Sequence, residues 1–195
     1  MDKINKVKSM SIWIFIIPFL AVNTCLIMIT QFHELYPNRE EIIHWTFPYL
    51  DGGASISRTA RPYPSWLVFK PSMIITSILL IKYWLYNKYI IQSFQKNHKH
   101  INKIVFFGIA SAIALIIHSI FLGIKFDNDF YKLFRRVIML LFIIFEITAQ
   151  FYLIKIFYRN KEKIKMFISQ KILTLKKILV YTLIVIAILI LPFLP

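Results

Sequence analysis

Two ionisable side chains inside long apolar runs are the first candidates for chemistry. His118 and Glu146 lie in the third and fourth of these runs, where a charged group is costly unless it has a partner. Because successive runs joined by a short loop are antiparallel neighbours, we expect the two groups to come within hydrogen-bonding reach. Arg135 and Gln150 share a helical face with Glu146. The four residues therefore predict an intramembrane polar stripe that faces the interior of a helix bundle.

This stripe has two interpretations, and the sequence leaves both open. A structural stripe would hold neighbouring helices together through hydrogen bonds that contribute ~0.6 to 2 kcal/mol each. A functional stripe would use His118 and Glu146 as a pair that handles protons. The third run also carries small residues four apart, at Gly108/Ala112 and Ala110/Ala114. That spacing predicts tight helix packing under either interpretation.

The polar loop between the first two apolar runs is a second candidate site. The segment 51–53 predicts a turn, and two arginines follow it among hydroxyl-bearing residues. Arginine binds phosphate oxygens through two parallel hydrogen bonds, so the loop is a candidate site for a lipid headgroup. In the alternative interpretation the arginines bond only the carbonyls of their own loop. The candidate headgroup ligands are Asp51, Ser55, Ser57, Arg58 and Arg61.

Motifs for metal binding and hydrolysis are incomplete. His33-Glu34 begins like the zinc motif HExxH, but no second histidine follows at the required spacing, and the chain has no G-x-S-x-G elbow. The single cysteine, Cys25, cannot form a disulfide within the chain or a zinc site alone. We therefore predict no catalytic residue, no metal site and no cofactor, although a membrane enzyme can assemble its site from distant helices.

The elements that position these residues are five apolar runs, each long enough to cross ~30 Å of hydrocarbon. The chain has 195 residues, of which 58% are apolar, and a mean hydropathy of +0.63. A soluble domain of this size cannot bury so much apolar surface in one core. We expect an all-α, polytopic transmembrane bundle in one integral membrane domain, residues 1–195. Its spans are predicted near residues 11–30, 66–86, 104–124, 137–158 and 178–194, with an outer loop over 31–65.

The distribution of charge orients this bundle. With a cytoplasmic N-terminus, sixteen of the 24 lysines and arginines fall on the inner side of the membrane and the other eight on the outer side. We therefore predict a cytoplasmic N-terminus and, for five spans, a C-terminus outside. The last run, 178–194, is the shortest, so whether it crosses fully stays open. Lysines at the start precede an apolar segment too long for a signal peptide, which predicts an uncleaved anchor.

The net charge of +15 points to lipid as a partner. The lysines lie in short segments beside the apolar runs, which favours attraction to anionic phospholipid over binding of nucleic acid. The segment Lys163–Lys177 carries apolar residues at helical spacing between its lysines, and predicts a helix lying on the cytoplasmic leaflet. A lysine-rich flank between two spans is the alternative. Abundant Ile, Lys and Phe indicate an AT-biased genome, which fits a bacterial plasma (inner) membrane.

Around the outer loop the chain resembles the DRAM family of polytopic membrane proteins, which includes the Frag and Sfk proteins. Pro48–Gly53 stands where that family has Pro-Tyr-Ile-Ser-Asp-x-Gly, and Pro64 with Phe69 matches the second part of the motif. Ser65 departs from the acid usual in the DRAM branch, and that family has six helices. The resemblance implies a lipid-linked, non-catalytic membrane role. The second outer loop, 123–136, resembles instead uncharacterised bacterial inner-membrane proteins.

Three functions remain open on these grounds. A protein that organises or senses lipid would use the arginine loop and the polar stripe. A membrane-embedded lipid-modifying enzyme would need His118, Glu146 and Asp51 to converge on a cavity open to the outer leaflet. An accessory subunit would instead bind a membrane-protein partner.

Overall fold

The computed structural model describes residues 2–38, 43, 56–94, 98–124, 129–165 and 167–190. Within these ranges the secondary structure is helical, without a strand. The long helices are α1 (Asp2–Gln31), α2 (Ser65–Phe94), α3 (His98–Phe121), α4 (Asp129–Arg159) and α5 (Gln170–Ile190). Short helical turns at His33–Leu35, Ile56–Thr59 and Lys161–Ile164 lie in the connections.

All five long helices are apolar and long enough to cross a membrane. This confirms the all-α, polytopic bundle, and the chain is an integral membrane protein. We call the side where α1 and α5 begin the lysine-rich side and the opposite side the loop side. The placement of the lysine-rich side in the cytoplasm stays a prediction from the charge distribution.

The helices differ from the predicted spans mainly at their ends. α2 continues to Phe94, and α4 begins at Asp129, eight residues before its predicted start. Apolar runs mark only the part of a helix that lies in hydrocarbon, whereas backbone hydrogen bonding continues into polar flanks. α3 ends earlier than predicted, at Phe121, because Gly123 takes a φ of 88° and turns the chain.

The prediction of a surface helix over Lys163–Lys177 is wrong. The short helix Lys161–Ile164 ends first, and α5 then begins at Gln170, so the second half of the segment belongs to a membrane-spanning helix. Ile164 and Leu173 are both buried in the main hydrophobic core. Through these two side chains the connection packs against the bundle.

Helices α2, α3 and α4 form the core bundle. Sequential neighbours pack side by side from α1 to α4, whereas α5 packs more sparsely and against α4. The share of buried residues is highest in α2 and α3 and lowest in α5. Since α5 leans on α4, space is left between α1, α2 and α5.

Gly108 lies at a close contact between α2 and α3. The indole of Trp84 is completely buried, and a Cβ placed on Gly108 would lie 2.3 Å from that ring. Only glycine leaves room for the indole at this crossing. Ala112 and Ala114 on the same helix are also buried, which confirms the tight packing predicted from the small residues of the third run.

On the loop side, the start of α2 is tied to the end of α1. Ser65 is completely buried; its hydroxyl hydrogen-bonds the Tyr36 hydroxyl, and its carbonyl accepts a hydrogen bond of 3.3 Å from Cys25 Sγ. Burial raises the pKa of Tyr36, while the hydrogen bond to Ser65 opposes that shift. The contacts fix the position at which the chain re-enters the membrane.

Candidate functional site

The carboxyl group of Glu146 joins three helices inside the core bundle. Ser111 Oγ of α3 lies 2.8 Å from Oε2, and Trp84 Nε1 of α2 donates to the same oxygen at 3.2 Å. Gln150 Nε2, one turn along α4, donates to Oε1 at 2.8 Å. Hydrocarbon offers no such donors, so the carboxyl group finds all its partners within the protein.

The donor from α3 has a second acceptor. Ser111 Oγ also lies 2.8 Å from the backbone carbonyl oxygen of Gly108. A hydroxyl carries a single proton, so Gly108 and Glu146 share this one donor. The glycine that admits the Trp84 ring and the serine that reaches Glu146 therefore belong to one turn of α3.

His118 and Arg135 form a separate polar cluster nearer to the loop side. The guanidinium of Arg135 acts electrostatically on the His118 ring and lies 5.7 Å from the centroid of the Tyr131 ring. His118 is seven residues from Ser111, or ~10 Å along α3. Among the described residues no hydrogen bond joins His118 to Glu146. The predicted stripe is thus two clusters, one of Glu146 with Gln150 and one of His118 with Arg135.

The structure describes only part of the predicted headgroup loop. Asp51 and Ser55 lie outside the described residues, and Ser57 and Arg58 fall in the short helix Ile56–Thr59. Arg58 is exposed. Arg61 is half-buried, and its carbonyl oxygen would lie 3.1 Å from a Cβ on Gly123. Arg61 therefore packs against the loop-side end of α3.

The loop-side end of α3 receives two further side chains. Lys70 Nζ donates to the Ile120 carbonyl at 3.2 Å, and the Tyr131 hydroxyl donates to the Phe121 carbonyl at 2.5 Å. The last carbonyls of a helix have no partner within the helix, and cations are favourable there. Lys70 and Tyr131 therefore cap the loop-side end of α3.

A cleft that the sequence does not predict lies between α1, α2 and α5, and α4 closes its inner side. It consists of two cavities. The first, of about 640 Å³, lies toward the lysine-rich side and is lined by Val7, Ile90, Phe157 and Ile168 among others. The second, of about 690 Å³, is lined deeper in the bundle by Ile14, Leu80, Leu179 and Leu183 among others. Ser11, Tyr83, Ile172 and Lys176 line both cavities.

Polar groups gather where the two cavities meet. Lys176 Nζ donates to the Tyr83 hydroxyl at 3.3 Å and attracts Glu146 electrostatically. Glu146 and Gln150 line the second cavity, and Gln150 Oε1 is buried without a hydrogen-bond partner in the described part of the chain. Lys8 lines the first cavity. An apolar cleft with polar groups at one level suits an amphiphile.

The signal that could have revealed this cleft is the position of Lys176. From the sequence alone, Lys176 belongs to the charged flank of the last predicted span. Because α5 begins at Gln170, Lys176 lies six residues inside a helix, or ~9 Å along its axis. A lysine at that depth needs a polar neighbour, and Tyr83 supplies it.

The geometry also bears on catalysis. Glu146 faces the second cavity, whereas His118 lines neither cavity of the cleft. In the described ranges, no group of three or more His, Cys, Asp or Glu side chains is placed to hold a metal ion. The side chains at the cleft can bind an amphiphile through apolar contacts, charges and hydrogen bonds.

Comparisons with known proteins do not indicate a function for this chain. No family model matches the chain, and no curated protein or solved structure proved similar to it. The resemblance to the DRAM family stays a prediction from the outer-loop motif. Since one fold can serve many functions, the function of this chain has to be inferred from its cleft.

Proposed function

We propose that this chain is a multi-pass membrane protein that binds a membrane lipid, and so senses or organises it, without catalysing a reaction. The observation that carries the proposal is the cleft between α1, α2 and α5. Its two cavities, of about 640 and 690 Å³, each have the size of a ligand site. Their walls are apolar over most of their surface.

Hydrocarbon is the occupant that such a cleft favours. An apolar cavity without an occupant forfeits dispersion contacts along its whole lining, and water finds few polar partners there. Ile12 of α1 and Ile172 of α5 line the cleft and are 56% and 59% exposed. A lipid chain between the two helices would cover these side chains with no loss of hydrogen bonds.

A binding role fits the arrangement better than a catalytic one. The enzyme hypothesis requires His118 and Glu146 to reach one cavity, but His118 lies beside Arg135, about two turns of α3 from Ser111. The carboxyl oxygens of Glu146 already accept hydrogen bonds from three side chains. We also place the protein in a bacterial plasma membrane, on its abundance of Ile, Lys and Phe. The charge distribution places the lysine-rich side in the cytoplasm.

Native mass spectrometry of the purified protein tests the proposal. We expect wild-type protein to retain lipid and Ile172→Trp to retain much less, because the indole would fill the space that both cavities share. Ile188→Trp is the control, since Ile188 is similarly exposed on α5 and lines neither cavity. Wild-type protein without lipid, or equal retention by both variants, would contradict the proposal.

A further inference from the structure

We infer that the first cavity, beside its junction with the second, binds the anionic phosphate headgroup of a phospholipid from the leaflet on the lysine-rich side, between Lys8 and Lys176. The inference rests on the proposed lipid binding and adds the class of headgroup. The lipid chain would continue from this junction into the second cavity.

The charges that line the first cavity carry the inference. Its described lining includes two cationic side chains, Lys8 of α1 and Lys176 of α5, and no acidic one. The Tyr83 hydroxyl lies on the same lining and accepts from Lys176, so it keeps its own proton to donate. The Ser11 hydroxyl, also on this lining, donates to the Lys8 carbonyl at 2.7 Å. Ammonium and hydroxyl groups donate hydrogen bonds to phosphate oxygens. Anionic lipid is therefore the complementary occupant, and a lipid with a cationic headgroup alone is disfavoured.

Lys176 has donor capacity left for such a ligand. An ammonium group has three N–H donors, and Lys176 Nζ uses one of them on the Tyr83 hydroxyl. The ion pair seen within the described ranges, Lys132–Asp129, lies on α4 and involves neither lysine of the cleft. Glu146 attracts Lys176 from a distance, while its oxygens are occupied by neutral donors.

The depth of the two lysines matches a headgroup position. Lys8 and Lys176 each lie six residues inside their helices, α1 and α5, or ~9 Å along the axis. The apolar spans predicted from the sequence begin a few residues further on. Glu146 lies beyond Lys176, on the second cavity, whose described lining offers a phosphate no cation other than Lys176. The headgroup is thus held at one level, with the chain running past it.

A lipid-competition experiment tests the inference. The protein would be delipidated, mixed with equal amounts of phosphatidylglycerol and phosphatidylcholine, and its retained lipid read by native mass spectrometry. We expect wild type to prefer phosphatidylglycerol by about tenfold, which corresponds to ~1.4 kcal/mol. Lys176→Gln and Lys8→Gln should each reduce that preference severalfold.

Lys177→Gln is the matched control. It removes the same charge one residue away, but Lys177 Nζ lies 4.9 Å above the Tyr158 ring and lines neither cavity of the cleft. We expect it to keep the wild-type preference. Lys176→Arg, which retains the cation, should keep the preference as well, and it serves if the glutamine variant fails to fold. Glycerol phosphate, the same chemistry without chains, should not displace the lipid.

The outcomes separate the two proposals. Lipid retained without headgroup preference, or a Lys177→Gln loss as large as that of Lys176→Gln, would overturn the headgroup site and leave lipid binding intact. Displacement by glycerol phosphate would overturn a lipid headgroup in favour of a soluble phosphate. If wild type retained no lipid, both proposals would fail.

Discussion

The core bundle and the cleft are both built from apolar helices and yet differ in how their space is used. In the core bundle, Trp84 fills the gap over Gly108, and Glu146 receives donors from three helices. Along the cleft, α5 buries few side chains, Leu173 and Val180 among its described residues. Its polar contacts to other helices are long, such as the 3.3 Å bond from Lys176 to Tyr83.

This difference separates two tasks within one membrane protein. Lipid is as apolar as the helices, so close association of helices depends on shape and on hydrogen bonds. The core bundle has both. α5 has little of either on its cleft side, which leaves room for a ligand of the membrane itself. Substitutions in the core bundle should therefore change stability, and substitutions along the cleft should change lipid binding.

The largest loss of stability is expected for Gly108→Ala. The added methyl group would lie 2.3 Å from the Trp84 ring, so α2 and α3 must separate or the indole must leave its place beside Glu146. Overpacking of this kind costs about 1–3 kcal/mol. Thermal unfolding in detergent measures the effect, with Val137→Ile as a control that adds one methyl group at an exposed site. An unchanged unfolding temperature would show that the crossing is not close.

A double-mutant cycle on His118 and Glu146 tests the division of the polar stripe. Glu146→Leu leaves the donors Trp84 and Gln150 without their acceptor, which should cost about 1–3 kcal/mol. His118→Leu removes a partner of Arg135 and should cost less. Because the clusters share no hydrogen bond in the described structure, the two losses should add to within ~0.5 kcal/mol.

One result of this cycle would contradict the division into two clusters. A coupling energy well above ~0.5 kcal/mol between His118 and Glu146 would restore a single stripe and revive their use as a proton-handling pair. Ser111→Ala with Glu146→Leu is the positive control, since those residues are hydrogen-bonded at 2.8 Å and should couple.

The sequence predicts the helices of this protein better than its contacts. Runs of apolar residues identify all five spans. In lipid the backbone must satisfy its own hydrogen bonds, so such a run forms a helix. The small residues around Gly108 predicted close packing without revealing Trp84 as the neighbour. The sequence indicates that Glu146 needs a partner, but its donors lie on three helices whose rotation the sequence does not define.

The cleft was beyond prediction for a related reason. A cavity is the space that packed helices leave, and no residue pattern encodes it directly. The sequence alone indicates a flank or a surface helix for the lysines near the start of α5, because apolar periodicity does not give the point at which α5 begins. Of the predicted headgroup loop, Asp51 and Ser55 lie outside the described residues, so that site stays a prediction.

Whether lipid occupies the cleft can be tested by photolabelling with a lipid that carries a diazirine on its acyl chain. We expect labels on Ile14, Leu179 and Leu183, which line the second cavity, to persist when excess unlabelled phosphatidylcholine is added. Labels on the exposed residues Phe15 and Ile188 should fall in proportion to the dilution. If labelling at both sets of residues fell by the same factor, the cleft would hold no lipid of its own, which would contradict the proposed lipid binding.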